Sequence, residues 1–345
     1  MHRSVHIVYL GRKGAGLNFT YSLFDELSKN NIEVASLILN SNNLGVGDQK
    51  QANLKCINFS PIFIISFLQS LTFAFRFLGS IKSTPTPVII FPMSSPLDIF
   101  LSILLKSRNI PNIRFIHDVK SHLGESWPDP LSNRILIGTA TELVTLSKYE
   151  QDRMLELYKR TSIRVQHPIF QAPVDFNSNL IRVERIVLFV GRIKEYKGIP
   201  TLLRAWEGLQ ITGYRLRICG QGKMPPLDSL EGLDVKNCWL TEHELHSEIS
   251  RAEIIVFPYL EASQSGLIPI AISKRKKIVV TPVGGLIEQI TDYENAFVSF
   301  DTSVESLRFA LAAAINAKSN FGNKTQGNAK DPISFLPLIN YLKKS

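Results

Sequence analysis

The sequence predicts an α/β protein made of two tandem doubly wound domains. Short apolar runs alternate with segments of helical period along most of the 345 residues. The pattern breaks once near the middle of the chain and then restarts. Continuous apolar strands separated by helices are typical of parallel sheets covered on both faces. A chain of this length also favours two domains, at about 150 residues each.

The first half opens with an apolar run, VHIVYL, followed by a glycine-rich turn, GRKGAG. The next predicted elements, in chain order, are a helix over 19–29, a strand over 34–39, a long helix over 61–81, a strand TPVIIFP, a helix IFLSILLKSR, a strand NIRFIHD, a strand ELVTLS and a helix KYEQDRMLELYKR. Asp98 and Ser147 stand just before two of these helices, where short polar side chains cap free backbone N–H groups.

A proline-containing stretch without periodicity, HPIFQAPVDFNS, indicates an interdomain linker. We place it at 171–182, between a first domain over 1–170 and a second over 183–318. The later predicted elements are the strands RIVLFVG, YRLRICG, IIVFP, KKIVVTP and NAFVSF and the helices IPTLLRAWEGL, TEHELHSEISRA and VESLRFALAAAINA. Residues 319–345 are predicted to form a mobile polar loop and a closing helix.

The chain contains 39 Lys and Arg and 30 Asp and Glu, a net charge of +9 that is spread along the sequence. This excess favours nucleotides, membrane surfaces or nucleic acid as partners, and a solvated basic surface is the alternative. Basic and aromatic residues do not interleave on one segment, so we expect no nucleic-acid partner. Cys56, Cys219 and Cys238 are far apart, which favours a reducing compartment without disulfides.

The segment over 61–81, PIFIISFLQSLTFAFRFLGSI, is long enough to span a bilayer. Gln69 and Arg76 lie inside it, and a central arginine is costly in a membrane. The sequence therefore favours a helix that is buried or that lies in a membrane interface. The opening run is too short for a secretory signal, so we expect a cytoplasmic protein, at the inner face of the cell membrane if the helix is interfacial.

The stretch FVGRIKEYKG, over 189–198, ends an apolar strand at Gly191 and then carries Arg192 and Lys197. A loop that enters a helix offers free backbone N–H groups and the positive end of a dipole. An arginine fork and a lysine point charge add the donors of a phosphate site. Two cations suit two phosphates, and a solvated loop with incidental charge is the alternative.

Three further strand ends in the second half carry glycines or short polar side chains. They are found in YRLRICGQG, PYLEASQSG and TPVGGLIE. The residues concerned are Gly220, Gly222, Ser263, Gln264, Ser265, Gly266, Leu267, Gly284, Gly285 and Glu288. Glycine allows a ligand to approach the backbone closely, and ligands of doubly wound sheets bind at the carboxyl ends of strands. We expect these four strand ends to line one crevice.

These motifs carry a resemblance to a known family. GRIKEYKG, LRICGQG, PYLEASQSG and TPVGGLIE together resemble the carboxyl-terminal domain of the GT-B glycosyltransferases, and more narrowly the retaining group 1 family. In the first half, FIHDVKSHLGE resembles the family's histidine after a strand, and VTLSKYEQDRM resembles its strand–serine–helix unit. The resemblance implies two Rossmann-like domains facing a central cleft, with a nucleotide-diphosphate sugar as donor.

The resemblance also implies roles for individual residues. Arg192 and Lys197 would hold the diphosphate and stabilise its charge during transfer, so that neither a cofactor nor a metal is needed. His117 would lie near the transferred sugar and be catalytic, with a capping or core histidine as the alternative. Its neighbours Asp118 and His122 would shape the acceptor side.

The glycine-rich turn GRKGAG would let the amino-terminal domain approach the diphosphate through Gly11, Gly14 and Gly16. Its spacing is G-x-x-G-x-G, whereas the dinucleotide fingerprint is G-x-G-x-x-G. This difference argues against a dinucleotide-dependent oxidoreductase.

The sequence departs from the family's pattern at one point. The family usually has two glutamates separated by seven residues, and the second commonly binds the nucleotide ribose. Here Ser263 stands near the first position and Ala271 near the second, while Glu261 is two residues out of register. Ribose binding would then fall to Glu288 or to backbone groups at 265–267.

The sequence thus predicts a hexosyltransferase-type glycosyltransferase. Its acceptor would be a glycan or a lipid-linked glycan in polysaccharide or glycoconjugate biosynthesis, with retention implied by the resemblance. The alternative is a non-catalytic relative that binds a nucleotide sugar or a glycan. A peripheral membrane contact through 61–81 would suit a lipid-linked acceptor.

Overall fold

The computed structural model describes residues 3–11, 16–40, 54–60, 62–170, 176–177, 181–209, 211–226, 230–318 and 334–344. The chain divides into two compact units. Unit 1 comprises Met1–Ser121, Ser126–Pro168 and Asp331–Ser345, and unit 2 comprises His122–Glu125 and Ile169–Lys330. Each unit carries one parallel sheet. Eight of the twelve residues of the predicted linker, 171–175 and 178–180, lie outside the described residues, as does the whole predicted mobile loop.

Unit 1 is built on a seven-stranded sheet in the order β3-β2-β1-β4-β5-β6-β7. Its strands are β1 Ser4–Tyr9, β2 Val34–Asn40, β3 Leu54–Ile57, β4 Pro87–Phe91, β5 Asn112–Ile116, β6 Glu142–Thr145 and β7 Ile163–Arg164. Its helices are α1 Gly16–Lys29, α2 Phe63–Ser80, α3 Ile99–Ser107, α4 Pro130–Thr139, α5 Lys148–Tyr158 and the closing helix Leu336–Lys344. Strands β1 and β5 are buried along their whole length, as strands covered on both faces should be.

Unit 2 is built on a six-stranded sheet in the order β10-β9-β8-β11-β12-β13. Its strands are β8 Glu184–Val190, β9 Arg215–Cys219, β10 Leu233–Lys236, β11 Ala252–Phe257, β12 Lys277–Val280 and β13 Ala296–Val298. Its helices are α6 Ile199–Glu207, α7 Glu242–Arg251, α8 Leu267–Ser273, α9 Leu286–Ile290 and α10 Val304–Asn316. The closing helix of unit 1 follows these in the chain and is α11.

The strand order of each sheet reverses at a defined place. In unit 2 the chain proceeds from β8 outward to β9 and β10, and it then crosses back to place β11 on the other side of β8. In unit 1 the same reversal separates β1 from β4. Ligands of doubly wound sheets bind beyond the carboxyl ends of the strands at such switch points. A ligand of unit 2 is therefore expected at the loops after β8 and β11.

The two predicted caps have different outcomes. Ser147 accepts a hydrogen bond from the Glu150 amide at 3.1 Å and caps α5, which confirms the prediction. The prediction for Asp98 is wrong, because its side chain makes no cap bond to α3. It accepts instead from the Ser95 amide at 2.8 Å and pairs with the Arg114 guanidinium at 3.0 Å. Asp98 thus completes the capping box of the short 3-10 helix Pro96–Asp98 that precedes α3, and the buried guanidinium is its second partner.

Helix α2 is amphipathic and is neither fully buried nor fully solvated. Ala74, Phe77 and Leu78 are buried in the core of unit 1. On the opposite face Ile64 is 71% exposed and Leu68 is 61% exposed. Among the helices that the structure describes, none combines the length and the hydropathy that a membrane span requires.

Candidate nucleotide-sugar site

The loop after β8 turns sharply from Gly191 into helix α6. The Gly191 amide donates to the Cys219 carbonyl at 3.0 Å, and the Ile193 amide donates to the Gln221 carbonyl at 2.9 Å. Gly198, which caps α6, has a φ of +66°. A Cβ atom there would lie 1.8 Å from the Pro258 carbonyl oxygen. Only glycine fits this position, and the close approach joins the loop after β8 to the loop after β11.

Gly220 and Gly222 also have positive φ values, of 148° and 157°. A Cβ on Gly220 would lie 1.8 Å from the Gly191 carbonyl oxygen, and one on Gly222 would lie 2.1 Å from the Ile193 carbonyl oxygen. These glycines are required by the protein's own backbone. The packing accounts for their presence, and a contact with ligand stays a prediction.

Two cations of the loop share one carboxylate within unit 2. The Nη1 atom of Arg192 lies 3.9 Å from Glu125 Oε1, and Lys194 Nζ lies 3.4 Å from Glu125 Oε2. The Arg192 side chain is 59% exposed. Exposed ion pairs at such distances contribute little, so the Arg192 fork can exchange Glu125 for a phosphate group at low cost.

Lys197 is placed by aromatic rings. Its Nζ atom lies 3.6 Å from the ring centroid of Tyr259 and 4.9 Å from that of Tyr196. An ammonium group above an aromatic face is held by the ring quadrupole. This contact fixes the lysine beside the loop after β11 without neutralising its charge. Neither tyrosine was predicted as a site residue, because the ring contacts appear only in the fold.

Tyr259 is itself fixed from several sides. Its ring is 1% exposed, and its hydroxyl lies 3.4 Å from Ser265 Oγ. Its carbonyl oxygen accepts from the Thr281 hydroxyl at 2.5 Å. Burial raises the pKa of Tyr259 well above its usual range, so the phenol stays neutral. A neutral, immobile ring is suited to orient a lysine that must meet an anion.

The segment before α8 is anchored by a residue that the sequence analysis missed. The Ser265 amide donates to Gln289 Oε1 at 2.8 Å, and Gln289 Nε2 donates to the Ser265 carbonyl at 3.0 Å. Glu288, which was predicted instead, is the exposed neighbour of Gln289 on α9. Glu288 as a ribose ligand stays a prediction.

Gly191, Gly266 and Leu267 are brought together at the switch point. Gly266 precedes α8 and Leu267 is its first residue. A Cβ on Gly191 would lie 3.3 Å from Leu267 Cδ1. The strand ends of β8 and β11 therefore meet. A crevice lined by all four strand ends stays a prediction.

Ser263 lies in the same loop and contacts a histidine. It is 2% exposed, and its Oγ atom lies 3.4 Å from Nε2 of His122. The other ring nitrogen of His122, Nδ1, lies 3.8 Å from Glu261 Oε2. The sequence suggested a role for each of these three residues but contained no sign of their contact.

His117 follows β5 in unit 1. Its Nε2 atom lies 2.8 Å from the Pro92 carbonyl oxygen, which can only accept, so Nε2 carries a proton. Its ring meets Phe19 edge to face at 4.7 Å between centroids. Burial lowers the pKa of His117, against the raising effects of the Pro92 carbonyl and of Asp118. The imidazole is therefore neutral near pH 7.

The glycine-rich turn of unit 1 is described only in part. A Cβ on Gly11 would lie 2.4 Å from the Tyr9 ring, and one on Gly16 would lie 2.4 Å from the Tyr9 hydroxyl oxygen. Both glycines thus make room for Tyr9. Gly14 lies outside the described residues, so its predicted approach to the diphosphate is not tested.

Among the described residues, no three His, Cys, Asp or Glu side chains lie close enough together to hold a metal ion. The expectation of metal-independent chemistry remains a prediction.

The loops of unit 2 lie in a segment that matches a known protein family. The family described as glycosyl transferases group 1 matches residues 184–317. This range contains all four glycine-bearing strand ends of unit 2. Residues 184–317 are therefore similar to a group 1 glycosyltransferase domain. The prediction of two Rossmann-like domains of the GT-B fold is confirmed by the parallel sheets and by solved structures.

A curated relative is an uncharacterized glycosyltransferase from Haemophilus influenzae, 22% identical over 221 residues. The match covers 63% of this chain and 61% of the relative, so the chain spans less than two thirds of the relative's length.

Two solved structures show the extent of the fold. Trehalose-6-phosphate from E. coli bound with UDP-2-fluoro glucose matches with a TM-score of 0.66 at 11% identity, covering 99% of this chain and 96% of that one. UDP-GlcNAc 2-epimerase from Methanocaldococcus jannaschii matches with a TM-score of 0.62 at 12% identity, covering 98% and 99%. Because a protein named as an epimerase has the same fold, the fold alone does not specify sugar transfer.

Proposed function

We propose that this protein transfers a sugar from a nucleotide-diphosphate sugar to a glycan or lipid-linked glycan acceptor, with retention. The observation that carries the proposal is the loop over 191–198, which places Arg192 and Lys197 at the strand switch point of a segment that matches the group 1 glycosyl transferases. The bound UDP-2-fluoro glucose of the E. coli structure supports a uridine nucleotide among the donors to test. Polysaccharide or glycoconjugate biosynthesis is the process that suits such an acceptor.

The proposed chemistry follows from where charge develops. As the bond between the sugar and the diphosphate breaks, negative charge accumulates on the diphosphate. Fixed cations stabilise that charge more in the transition state than in the ground state. Arg192 would contribute a fork of N–H donors and Lys197 a point charge. These two cations would take the place of a metal or other cofactor.

The first test of this proposal is thermal stabilisation by UDP, GDP and ADP. One of them should raise the melting temperature of the wild type. Ligand at a hundred times its dissociation constant adds about 2.7 kcal/mol to the free energy of unfolding. The variant Arg192→Ala with Lys197→Ala should lose the shift, because both diphosphate ligands are gone.

A matched control removes two positive charges near the opposite end of the same strand, with Arg182→Ala and Arg185→Ala. Both side chains are exposed and precede the buried part of β8. The control should keep the full shift. Equal shifts in the wild type and in the Arg192/Lys197 variant would contradict the proposed diphosphate site.

The ribose ligand is the open part of this site. With Ser263 and Ala271 at the positions of the family's two glutamates, we propose that backbone groups at 265–267 hold the ribose, with Glu288 as the second possibility. The hydrogen bonds of Gln289 to both backbone groups of Ser265 support the backbone reading, since they hold this segment rigid.

A second candidate function is a non-catalytic protein that binds a nucleotide sugar or a glycan. Ser263 and Ala271 stand where the family has its two glutamates, and this departure favours the binding protein. The two candidates differ in turnover. A transferase releases the nucleoside diphosphate from its donor in the presence of acceptor, whereas a binding protein returns the donor intact.

We also propose that α2 and α3 make a peripheral contact with the cytoplasmic face of the membrane. Ile64, Leu68 and Phe75 of α2 are all more than half exposed. Arg76, which follows Phe75 on α2, and Lys106, in the last turn of α3, are exposed cations. Neither helix contains Asp or Glu. An apolar stripe with cations and no carboxylates suits an anionic lipid surface.

Liposome flotation tests this contact. Binding of the wild type should rise with the fraction of anionic lipid, and Ile64→Ser with Leu68→Ser should weaken it. Phe67 is a poorer choice for substitution, because its ring packs on Phe100 at 4.6 Å. Leu155→Ser with Leu157→Ser is the matched control, since both leucines of α5 are about half exposed. Equal binding by both variants would remove the membrane proposal.

A further inference from the structure

A four-residue segment from the first half of the chain, His122–Glu125, belongs to unit 2. The chain before it, up to Ser121, and the chain after it, from Ser126, belong to unit 1. We call His122–Glu125 the strap, and the loop over 191–198 the predicted phosphate loop. All four residues of the strap lie against the predicted phosphate loop or the loop after β11.

The strap is held at its start by a ring contact and by a backbone hydrogen bond. The His122 ring stacks on the Tyr196 ring, with 4.7 Å between centroids and 24° between planes. The Leu123 amide donates to Glu261 Oε2 at 3.1 Å. Tyr196 lies in the predicted phosphate loop and Glu261 lies in the loop after β11, so the strap touches both loops of the switch point.

Gly124 allows the strap to pass close to the predicted phosphate loop. Its φ is +75°, a conformation that favours glycine, and a Cβ atom there would lie 3.2 Å from Glu195 Oε2. A larger residue would be strained by this backbone and would also crowd the Glu195 side chain. The absence of a side chain at this position therefore sets how closely the strap can lie on the loop.

The last residue of the strap places a carboxylate against two cations. Glu125 Oε2 lies 3.4 Å from Lys194 Nζ, and Glu125 Oε1 lies 3.9 Å from Arg192 Nη1. The Oε1 atom is shielded from solvent and accepts no hydrogen bond from the described residues. A shielded carboxylate oxygen without a donor is costly. The contact with Arg192 thus rests on charge alone, and the carboxylate can leave it at little cost.

We propose that the strap is an autoinhibitory element, in which Glu125 stands in for a phosphate group and must leave Arg192 when the diphosphate of the donor binds. The proposal rests on the proposed function for the identity of the competing anion. A diphosphate and the Glu125 carboxylate repel each other and compete for the same cations. Because the residues of the strap are neighbours in the chain, loss of the Glu125 contact also loosens the hydrogen bond of Leu123 to Glu261.

Affinity for the nucleoside diphosphate measures this competition. Glu125→Gln keeps the size of the side chain and removes its charge. It should tighten binding of whichever of UDP, GDP and ADP stabilises the protein, by about two- to fivefold, the range of an exposed ion pair. Isothermal titration calorimetry gives the dissociation constants. The gain should shrink as salt is raised, because exposed charges are screened.

The matched control is Glu195→Gln, which removes the same charge from an exposed residue of the predicted phosphate loop itself. A general rise in positive potential would tighten binding in both variants. Displacement of the strap tightens it only in Glu125→Gln. Equal affinities in the wild type and Glu125→Gln, or equal gains in the two variants, would overturn the proposal and leave the proposed function intact.

Release of the strap is measured separately, by hydrogen exchange of a peptide that covers 122–125, since exchange reports local opening. Bound nucleotide should speed exchange of the Leu123 amide, because the strap leaves Glu261. Glu125→Gln should speed the same exchange with no nucleotide added. Slower or unchanged exchange at Leu123 in the nucleotide complex would overturn the proposal, even with the expected affinities.

The two proposals fail in different ways. Nucleotide binding by Glu125→Gln and not by the wild type would be the strongest form of the expected autoinhibition. Failure of both proteins to bind any of the three nucleotides would contradict the proposed function. The strap would then lack the anion that displaces it, and the autoinhibitory role would be overturned as well.

Discussion

Replacing His117 by alanine is expected to lower kcat for sugar transfer at least about a hundredfold, the lower range for a group that moves or holds a proton. Affinity for the nucleoside diphosphate should be unchanged, because the diphosphate cations Arg192 and Lys197 belong to unit 2 and His117 belongs to unit 1. The measurement is a steady-state rate of nucleotide release with acceptor present, together with a dissociation constant for the nucleotide alone.

The expected pH dependence follows from the neutral state of His117. Burial lowers the pKa of His117, and the Pro92 carbonyl oxygen accepts the proton on Nε2. The active form is then the neutral imidazole. The wild-type rate should hold at neutral and higher pH and should fall as the pH drops through the lowered pKa. A fall with rising pH near neutrality would contradict this assignment.

His167→Ala is the matched control for His117→Ala. Its ring also meets Phe19, at 5.8 Å between centroids, so its removal disturbs the same aromatic packing in unit 1. Burial lowers the pKa of His167 to about 4, so it is neutral under the same conditions. The control should keep most of its turnover. Equal losses in the two variants would show that packing around Phe19, and not chemistry at His117, sets the rate.

The central strands could be predicted from the sequence, as could the edge strand β13 within NAFVSF, whereas the edge strands β3, β7 and β10 could not. Runs such as VHIVYL and RIVLFV are continuous and apolar because β1 and β8 lie inside their sheets. The missed strands β3, β7 and β10 lie at the sheet edges. Their sequences, LKCI, IR and LDVK, include charged residues that an exposed edge tolerates. Without continuous burial, so short a strand leaves little pattern to detect.

Helix α4 was missed for a different reason. Its sequence, PLSNRILIGT, contains a proline at the start and a glycine near the end, both of which indicate a turn. In the structure the proline occupies the first turn, where its missing N–H group has no partner to lose. Asp129 caps the helix by accepting from the Ser132 amide at 2.9 Å. A proline usually indicates a turn or the end of a helix, but at the first helical position it is compatible with the helix.

The predicted phosphate loop came from local sequence, but its surroundings did not. Arg192 and Lys197 lie within one short loop, so spacing alone could place them together. The partners that position them are distant in sequence: Tyr259 beneath Lys197, and Glu125 beside Arg192. The contact between Ser263 and His122 joins residues 141 positions apart. Such pairs are brought together by the order of the strands in the sheet. Neither hydrophobic periodicity nor a sequence motif can therefore reveal them.

The largest expected effect on stability concerns the buried pair of Arg114 and Asp98. Both side chains are 0% exposed, and the guanidinium also donates to Ser102 Oγ at 2.6 Å and lies over the Phe91 ring at 4.1 Å. Arg114→Met leaves the Asp98 carboxyl buried without its cation. We expect this variant to lose about 3–5 kcal/mol of unfolding free energy, measured by urea denaturation of the full chain.

The sign of the pH dependence separates this cause from a simple loss of packing. Burial raises the pKa of Asp98 to about 6, against the lowering effect of Arg114. The unfolded chain therefore ionises first, and this group's contribution to stability declines as the pH rises from about 4 through 6. Removing the cation raises that pKa further, so the deficit of Arg114→Met should be larger at pH 8 than at pH 5.

Adding Asp98→Asn to Arg114→Met should recover much of the loss at pH 8. The amide cannot ionise, and its oxygen can still accept from the Ser95 amide, which Asp98 now does at 2.8 Å. A neutral pair of similar volume is often no less stable than a buried ion pair. A deficit that is the same at both pH values, and that the second substitution does not reduce, would mean that lost contacts with Phe91 and Ser102 dominate. The Asp98 charge would then carry little of the cost.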